Sequence, residues 1–108
     1  ELDEKYTKNA IVTTNQEEAL KDADFVYVKN WSSFTDYGQV LPTEEEWMLT
    51  PEKLAVTNSA KIMHCLPVRR NVEVSDAVLD SENSLIYEQA KNRIYSAQVV
   101  FKKILEQL

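Results

Sequence analysis

The sequence predicts an α/β fold in which helices flank a parallel sheet, and three features indicate it. Strand-type and helix-type segments alternate along the chain, the order that builds parallel strands joined by right-handed crossovers. The apolar run at 24–28 is almost unbroken, as expected for a strand covered on both faces. Apolar residues recur at helical spacing over 92–108, which predicts a long terminal helix. A chain of 108 residues forms one domain at most.

Each element of the first half follows from its local sequence. Residues 10–14 are short and β-branched, which predicts a strand. Asn15 lies three residues before Glu18, a capping pattern that predicts a helix over 17–23. The interval 30–50 has no clear period, and a connection of this length is usually a functional lid or binding loop.

The second half continues the alternation. Thr50 as N-cap and Pro51 at the first helical position predict a helix that ends near Asn58. The remaining predictions are a strand at 61–66, a short helix at 75–79, a brief extended piece at 84–87 and the terminal helix.

Composition excludes several function classes. A net charge of −6 argues against nucleic-acid partners and acidic membrane surfaces, which require a basic face. Gly38 is the single glycine, so the chain has neither a Rossmann phosphate fingerprint nor a P-loop. Because Cys65 is the single cysteine, we expect a reducing, cytoplasmic compartment. The absence of an initiator Met leads us to expect a piece of a longer protein.

The most informative stretch is 64–71, which holds an imidazole, a thiol and two guanidinium groups directly after an apolar run. In open α/β sheets small ligands bind at the carboxyl ends of the strands. Lys29 ends the preceding strand, so its ammonium group is predicted to emerge at that same edge. Arg69 and Arg70 suit carboxylate or phosphate groups because a guanidinium binds two oxygens at once. Solvated surface charge is the alternative for both arginines.

A purely structural explanation also exists for the other candidates. A lone cysteine is more often a small buried side chain than a nucleophile, which favours a structural Cys65. His64 and Cys65 are adjacent in the predicted strand, so their side chains point to opposite faces. This arrangement disfavours a Cys-His dyad. Arg93 is predicted to open the terminal helix, where a cation opposes the helix dipole, and this placement hints at a ligand role.

The His-Cys-Leu-Pro run at 64–67 resembles a motif of the ornithine-type carbamoyltransferases, whose aspartate-type relatives have His-Pro-Leu-Pro. Further matches in the family's order are at 29–31, 68–71, 76–81 and 88–93. The resemblance covers essentially the whole chain. It implies that 1–108 are the carboxyl-terminal portion of a Rossmann-like amino-acid-binding domain, and that the carbamoyl-phosphate-binding domain is absent.

One departure from the family is informative. Ornithine enzymes carry Asp-x-Trp, then Ser-Met-Gly, where this chain has Lys29 and no Ser-Met-Gly. The family's Asp pairs with the α-ammonium of ornithine, which Lys29 would repel while attracting a carboxylate or an amide carbonyl. The chain thus resembles N-acetylornithine or N-succinylornithine carbamoyltransferases. Glu73 stands where some acetylornithine enzymes have lysine, which favours the succinyl branch or an outlier.

The resemblance implies a reaction and a role for each site residue. The carbamoyl group moves from carbamoyl phosphate to the δ-amine of the N-acylated ornithine, in arginine biosynthesis. Lys29 and Arg69 would bind the α-carboxylate and the acyl amide. The main-chain carbonyls of Cys65 and Leu66 would accept from the carbamoyl NH2 group, while the Cys65 thiol lines the approach of the amine. Arg93 would donate to the carbamoyl oxygen as it gains charge.

The resemblance also implies that His64 orients the strand end, that no metal or organic cofactor is needed, and that the full-length enzyme is a homotrimer. The family's Ser-Thr-x-Arg-Thr and His-Pro-x-Gln motifs are absent from this chain. We therefore expect the 108 residues alone to be inactive. In the family the terminal helix packs onto the missing domain, so its apolar stripe is predicted to be exposed here and to drive self-association.

Two rival hypotheses remain open from the sequence. One is a non-catalytic α/β module that binds an acidic metabolite through Lys29, Arg69 and Arg70 without dependence on carbamoyl phosphate. The other is a structural, receiver-like domain in which Lys29→Ala and Arg69→Ala change only the surface charge.

Overall fold

The computed structural model describes residues 9–31, 35, 39 and 46–108. Its sheet consists of two parallel strands, β1 (Phe25–Val28) and β2 (Lys61–His64), with Val28 opposite His64 in the register. The helices are α1 (Gln16–Leu20), α2 (Pro51–Leu54), α3 (Asp76–Leu79) and α4 (Ile86–Leu105). The predicted fold class, a parallel sheet with flanking helices and a long terminal helix, is confirmed.

Two helices begin at the predicted caps. The Asn15 side chain accepts from the Glu18 N–H at 3.2 Å, and the Thr50 hydroxyl accepts from the Lys53 N–H at 3.4 Å. Both helices are shorter than predicted. Helix α1 ends before Asp22, whose φ of 56° lies in the left-handed region and cannot continue a right-handed helix.

The apolar core lies between the sheet and the short helices. Its buried side chains are Leu20, Val28, Leu49, Ala60, Ile62, Val74, Val78, Leu79 and Ile86. Isolated bridges involve three of these core residues and join Leu49 to Val74 and Ile62 to Ser84. The extended piece predicted at 84–87 is therefore reduced to a bridge at Ser84, because α4 already begins at Ile86.

Two predictions for the first half are wrong. Residues 10–14 do not form a strand: Ile11 and Val12 are 89% and 85% exposed, and no described segment pairs with them. Strand β1 is not covered on both faces, because Phe25 and Tyr27 are exposed. Within the predicted lid at 30–50, residues 32–34, 36–38 and 40–45 lie outside the described residues.

The terminal helix begins at Ile86 rather than at 92. The Leu85 carbonyl accepts from the Gln89 N–H at 2.8 Å, and good helix formers follow directly. Arg93 is therefore inside the helix and does not open it, so the helix-dipole argument for Arg93 is wrong.

The apolar stripe of α4 is exposed along its length. Its members are Ile94, Ala97, Val100, Phe101, Ile104 and Leu105, with Leu108 beyond the helix end. Phe101 is 67% exposed, and no described segment covers the stripe. In the part of the chain that the structure describes, no helix combines the length and apolar character needed to cross a membrane.

We predict that the chain self-associates through this stripe, because large exposed apolar patches mark association sites. Phe101→Glu places a charge at its centre and removes an aromatic contribution of about 1.5–3 kcal/mol, so the dissociation constant should rise at least about tenfold. Sedimentation velocity measures the change. Val99→Glu is the matched control, since Val99 is exposed but lies nearly opposite Phe101 around the helix. A clean monomer for the unaltered chain at high concentration contradicts the prediction.

Candidate functional site

The chain turns sharply where β2 ends. Leu66 has a φ of 57°, in the left-handed region that leucine rarely adopts, and a cis peptide bond joins it to Pro67. The Leu66 N–H donates to the His64 Nδ1 at 2.9 Å, so the histidine side chain stabilises the turn that follows it. The backbone therefore bends at Leu66, at the carboxyl edge of the sheet where β1 also ends.

His64 is a buried neutral acceptor in this turn. The residue is only 1% exposed, and burial lowers the pKa of its imidazole, an effect that Glu73 opposes and Lys29 reinforces. Because Nδ1 accepts the Leu66 N–H, the imidazole proton is assigned to Nε2, which is buried without a partner among the described residues.

Cys65 is exposed, whereas the adjacent His64 is buried. The prediction that Cys65 is a small buried side chain is therefore wrong, and the difference in burial agrees with the opposite faces expected for adjacent residues of an extended segment. The described residues contain no cluster of three His, Cys, Asp or Glu side chains that could hold a metal ion.

Arg69 is held by a buried carboxylate. Glu73 is 0% exposed and accepts from the Arg69 N–H at 2.8 Å and from the Arg69 guanidinium through Nε and Nη2. The same guanidinium donates from Nη2 to the Trp31 carbonyl at 3.1 Å, which ties the loop after β2 to the end of β1. The sequence did not predict this pair, because a buried Glu73 leaves no hydrophobic or periodic signal.

Lys29 directly follows β1 and is exposed at the same edge. Val28 lies opposite His64, so Lys29 and Cys65 occupy equivalent positions beyond the two parallel strands. Lys29 is close enough for its charge to contribute to the lowered pKa of His64. Lys29 and Arg69 are therefore both placed at the carboxyl edge, because Lys29 directly follows β1 and the Arg69 guanidinium binds the Trp31 carbonyl two residues later.

Arg70 does not face this edge. Its guanidinium donates to Asp76 at 2.6 Å and to both carboxylate oxygens of Asp80 at 2.9 and 2.7 Å. These bonds lower the pKa of both aspartates and raise that of Arg70. Asn71 completes the connection by accepting from the Asp76 N–H at 2.9 Å. Arg70 thus anchors the loop to α3.

Gln89 was missed by the sequence analysis and connects α4 to the edge. Its Oε1 accepts from the His64 N–H at 3.0 Å, and its Nε2 donates to the Tyr27 hydroxyl at 3.2 Å. Arg93 lies one turn later on the same side of the helix and is exposed. Gln89 lies within the matched segment 88–93. Because the helix was predicted to start only at residue 92, the sequence did not indicate that Gln89 and Arg93 are one helical turn apart.

The site therefore combines one pre-shaped backbone turn with cations from separate elements. The residues placed at the carboxyl edge are Lys29, His64, Cys65, Leu66 and Arg69. Arg93 is linked to it indirectly through α4. This arrangement can bind carboxylate and carbonyl oxygens with its cations and amide hydrogens with its carbonyls.

Residues 1–104 match the family described as "Aspartate/ornithine carbamoyltransferase, Asp/Orn binding domain". The N-succinylornithine carbamoyltransferase of Bacteroides fragilis (strain 638R) is 48% identical over 110 residues, covering 100% of this chain and 35% of that protein. An N-acetylornithine carbamoyltransferase of Xanthomonas campestris pv. campestris is 31% identical over 102 residues, covering 89% of this chain and 30% of that protein.

Solved structures agree with the sequence matches. A crystal structure of N-acetyl-L-ornithine transcarbamylase superposes with a TM-score of 0.72 at 32% identity, covering 82% of this chain and 29% of that one. The ornithine carbamoyltransferase from Pyrococcus furiosus gives 0.68 at 30% identity, covering 80% and 29%. The chain thus spans about a third of the length of its relatives, all of them named as carbamoyltransferases. It belongs to the aspartate/ornithine carbamoyltransferase family.

Proposed function

We propose that residues 1–108 are the carboxyl-terminal portion of the amino-acid-binding domain of an enzyme that carbamoylates N-acylated ornithine. The δ-nitrogen attacks the carbonyl carbon of carbamoyl phosphate and loses a proton, the bond from carbon to the phosphate oxygen breaks, and phosphate leaves. The observation that carries the proposal is the bond from the Arg69 guanidinium to the Trp31 carbonyl, which places Arg69 at the strand end that Lys29 follows, beside the turn at 65–66. A separate domain of the same enzyme would bind carbamoyl phosphate.

Lys29 and Arg69 are proposed to bind the α-carboxylate and the acyl amide. Arg69 is held in place by Glu73 and Trp31, and its side chain is 31% exposed at the site edge. Lys29 is exposed and makes no hydrogen bond to any residue in the described part of the chain. A free α-ammonium group would meet two positive charges here, so an acylated, uncharged nitrogen suits the site better.

The backbone turn and Arg93 are proposed to bind the transferred group. The left-handed Leu66 bends the chain out of the strand path, and this supports a role for the Cys65 and Leu66 carbonyls as acceptors for the carbamoyl NH2 group. Arg93 would donate to the carbamoyl oxygen as negative charge develops, an electrostatic rather than covalent contribution. The exposed Cys65 thiol would line the approach of the amine, and neutral His64 would hold the turn.

N-succinyl-L-ornithine is the substrate that we favour over N-acetyl-L-ornithine. The chain is 48% identical to an N-succinylornithine carbamoyltransferase and 31% identical to an N-acetylornithine carbamoyltransferase. Glu73 supports the same choice, since it stands where the resemblance puts lysine in some acetylornithine enzymes. We further propose arginine biosynthesis as the pathway, the cytoplasm as the location, and a homotrimer that needs no metal or organic cofactor, all by that resemblance.

The pairing of Arg70 weakens the rival hypothesis of an acidic-metabolite module. That hypothesis uses Lys29, Arg69 and Arg70 together, yet Arg70 is bound by two carboxylates of its own chain. The structural, receiver-like hypothesis accounts for the bonds of Arg69 to Glu73 and Trp31 but gives no role to the exposed cations Lys29 and Arg93.

We predict that the enzyme containing this segment converts N-succinyl-L-ornithine, with carbamoyl phosphate, more efficiently than N-acetyl-L-ornithine, and ornithine least. The measurement is the formation of the citrulline derivative and of phosphate from each substrate. The 108-residue chain alone should form no product, because the phosphate-binding motifs of the family lie outside it. Product from the isolated chain, or equal rates with ornithine, contradicts the proposal.

We predict that Lys29→Asp lowers kcat/KM for the N-acylated substrate about 10- to 100-fold, since a hydrogen bond to a charged group contributes about 1.5–3 kcal/mol. The same change should raise the relative activity with ornithine, whose α-ammonium the new carboxylate attracts. Lys21→Asp makes the same charge change at an exposed position outside the site and is the control. An unchanged substrate preference would rule out the assigned role of Lys29.

We predict that His64, the single histidine, titrates below its ordinary pKa of 6.5 in the folded chain, because burial disfavours the imidazolium form. The unfolded chain then binds more protons below pH 6.5, so His64 destabilises the fold progressively as pH falls through that window. Its imidazole NMR resonances measure the midpoint directly. His64→Gln should remove this part of the pH dependence of unfolding. A midpoint at or above 6.5 contradicts the assignment.

A further inference from the structure

The side chain of Gln89 occupies a position where a strand would otherwise continue the sheet. On the free side of β2, the Ile62 N–H donates to the Asn83 carbonyl at 2.9 Å, and the Leu85 N–H donates to the Ile62 carbonyl at 2.8 Å. In a parallel ladder the next bond would join the His64 N–H to the Leu85 carbonyl. That carbonyl already accepts from the Gln89 N–H, because α4 has begun.

The amide of Gln89 replaces the missing strand partner. Its Oε1 accepts from the His64 N–H at 3.0 Å, while its Nε2 donates to the Tyr27 hydroxyl at 3.2 Å. One side chain therefore contacts a residue of each strand, the last residue of β2 and the Tyr27 side chain of β1. The amide is suited to this position because it carries an acceptor and a donor side by side, as a peptide group does.

This connection sets how α4 lies against the site. Ile86 is buried in the core, Gln89 follows one turn later, and Arg93 lies one turn further on the same side. The His64 N–H that Gln89 binds lies two residues before Leu66 in the turn. The separation between the Arg93 guanidinium and the turn at 65–66 therefore depends on the amide of Gln89.

We propose that Gln89 is a positioning residue for carbamoyl transfer, which holds Arg93 against the carbonyls of the turn at 65–66. The inference rests on the proposed function, in which Arg93 donates to the carbamoyl oxygen. Donors aimed at developing charge must be placed before the reaction begins, and a displacement of about 1 Å costs about 100-fold in rate. Gln89 itself touches no reacting atom in this proposal.

The test uses the enzyme that contains this segment. Gln89→Leu removes both bonds, so kcat should fall about 10- to 100-fold while the KM for the N-acylated ornithine changes less than about twofold. Gln89→Glu should restore most of kcat, since a carboxylate accepts from both the His64 N–H and the Tyr27 hydroxyl. Glu88→Leu, at an exposed neighbouring position of α4, is the control and should leave kcat unchanged.

A second variant covers the case in which Gln89→Leu fails to fold. Tyr27 is exposed, so Tyr27→Phe removes one of the two amide contacts with little effect on packing and should lower kcat about 2- to 10-fold. Hydrogen exchange of the His64 amide should accelerate in Gln89→Leu and stay slow in Gln89→Glu.

The outcomes separate the two proposals. If the enzyme is active and Gln89→Leu leaves kcat unchanged, the inference about Gln89 is overturned and the proposed function is not affected. If Gln89→Leu does not fold, an unchanged kcat in Tyr27→Phe has the same meaning. The same holds if Gln89→Glu is as impaired as Gln89→Leu. An unaltered enzyme that transfers no carbamoyl group to any ornithine substrate overturns the proposed function and the role of Gln89 with it.

Discussion

The candidate site depends on one buried charge, the carboxylate of Glu73, which has no access to solvent. Moving an ion out of water costs several kcal/mol unless partners replace its hydration, and Glu73 obtains both a main-chain and a guanidinium partner from Arg69. The guanidinium is then directed to the Trp31 carbonyl at the end of β1. The Glu73 carbonyl accepts from the Leu49 N–H at 2.9 Å, which joins the same residue to the segment before α2. Charge pairing and the packing of the buried Val74 thus together determine the path of the chain after β2.

The sequence predicted the features that depend on neighbouring residues. Asn15 and Thr50 act within a single turn, so the starts of α1 and α2 could be identified from the local pattern. The strand predicted at 10–14 shows the limit of such patterns, because β-branched residues favour extended structure and still require a partner strand. The same limit applies to β1. Its apolar run did not indicate that one face, which carries Phe25 and Tyr27, is exposed and not covered by any of the described residues.

The contacts that build the site join residues far apart in the chain and have no local signal. Arg69 reaches Trp31 across a separation of 38 residues, and Gln89 reaches His64 across 25. The family motifs identified the segments to which these residues belong but not the bonds between them. Glu73 illustrates the difference: the sequence shows a charged residue after two arginines, and only the fold shows that it is the buried partner of one of them.

The cations in and next to the site fall into two groups. Arg69 and Arg70 are paired with carboxylates of their own chain, and both fix the path of the loop after β2. Lys29 and Arg93 are exposed and form no ion pair within the described residues, in a chain with a net charge of −6. The chain has many carboxylates that could form ion pairs with these two cations. Cations that stay unpaired in such a chain remain available to an external anion or carbonyl group. We therefore argue that Arg70 only stabilises the loop, that Arg69 stabilises the loop and also offers its partly exposed guanidinium to the substrate, and that the unpaired Lys29 and Arg93 act in recognition alone.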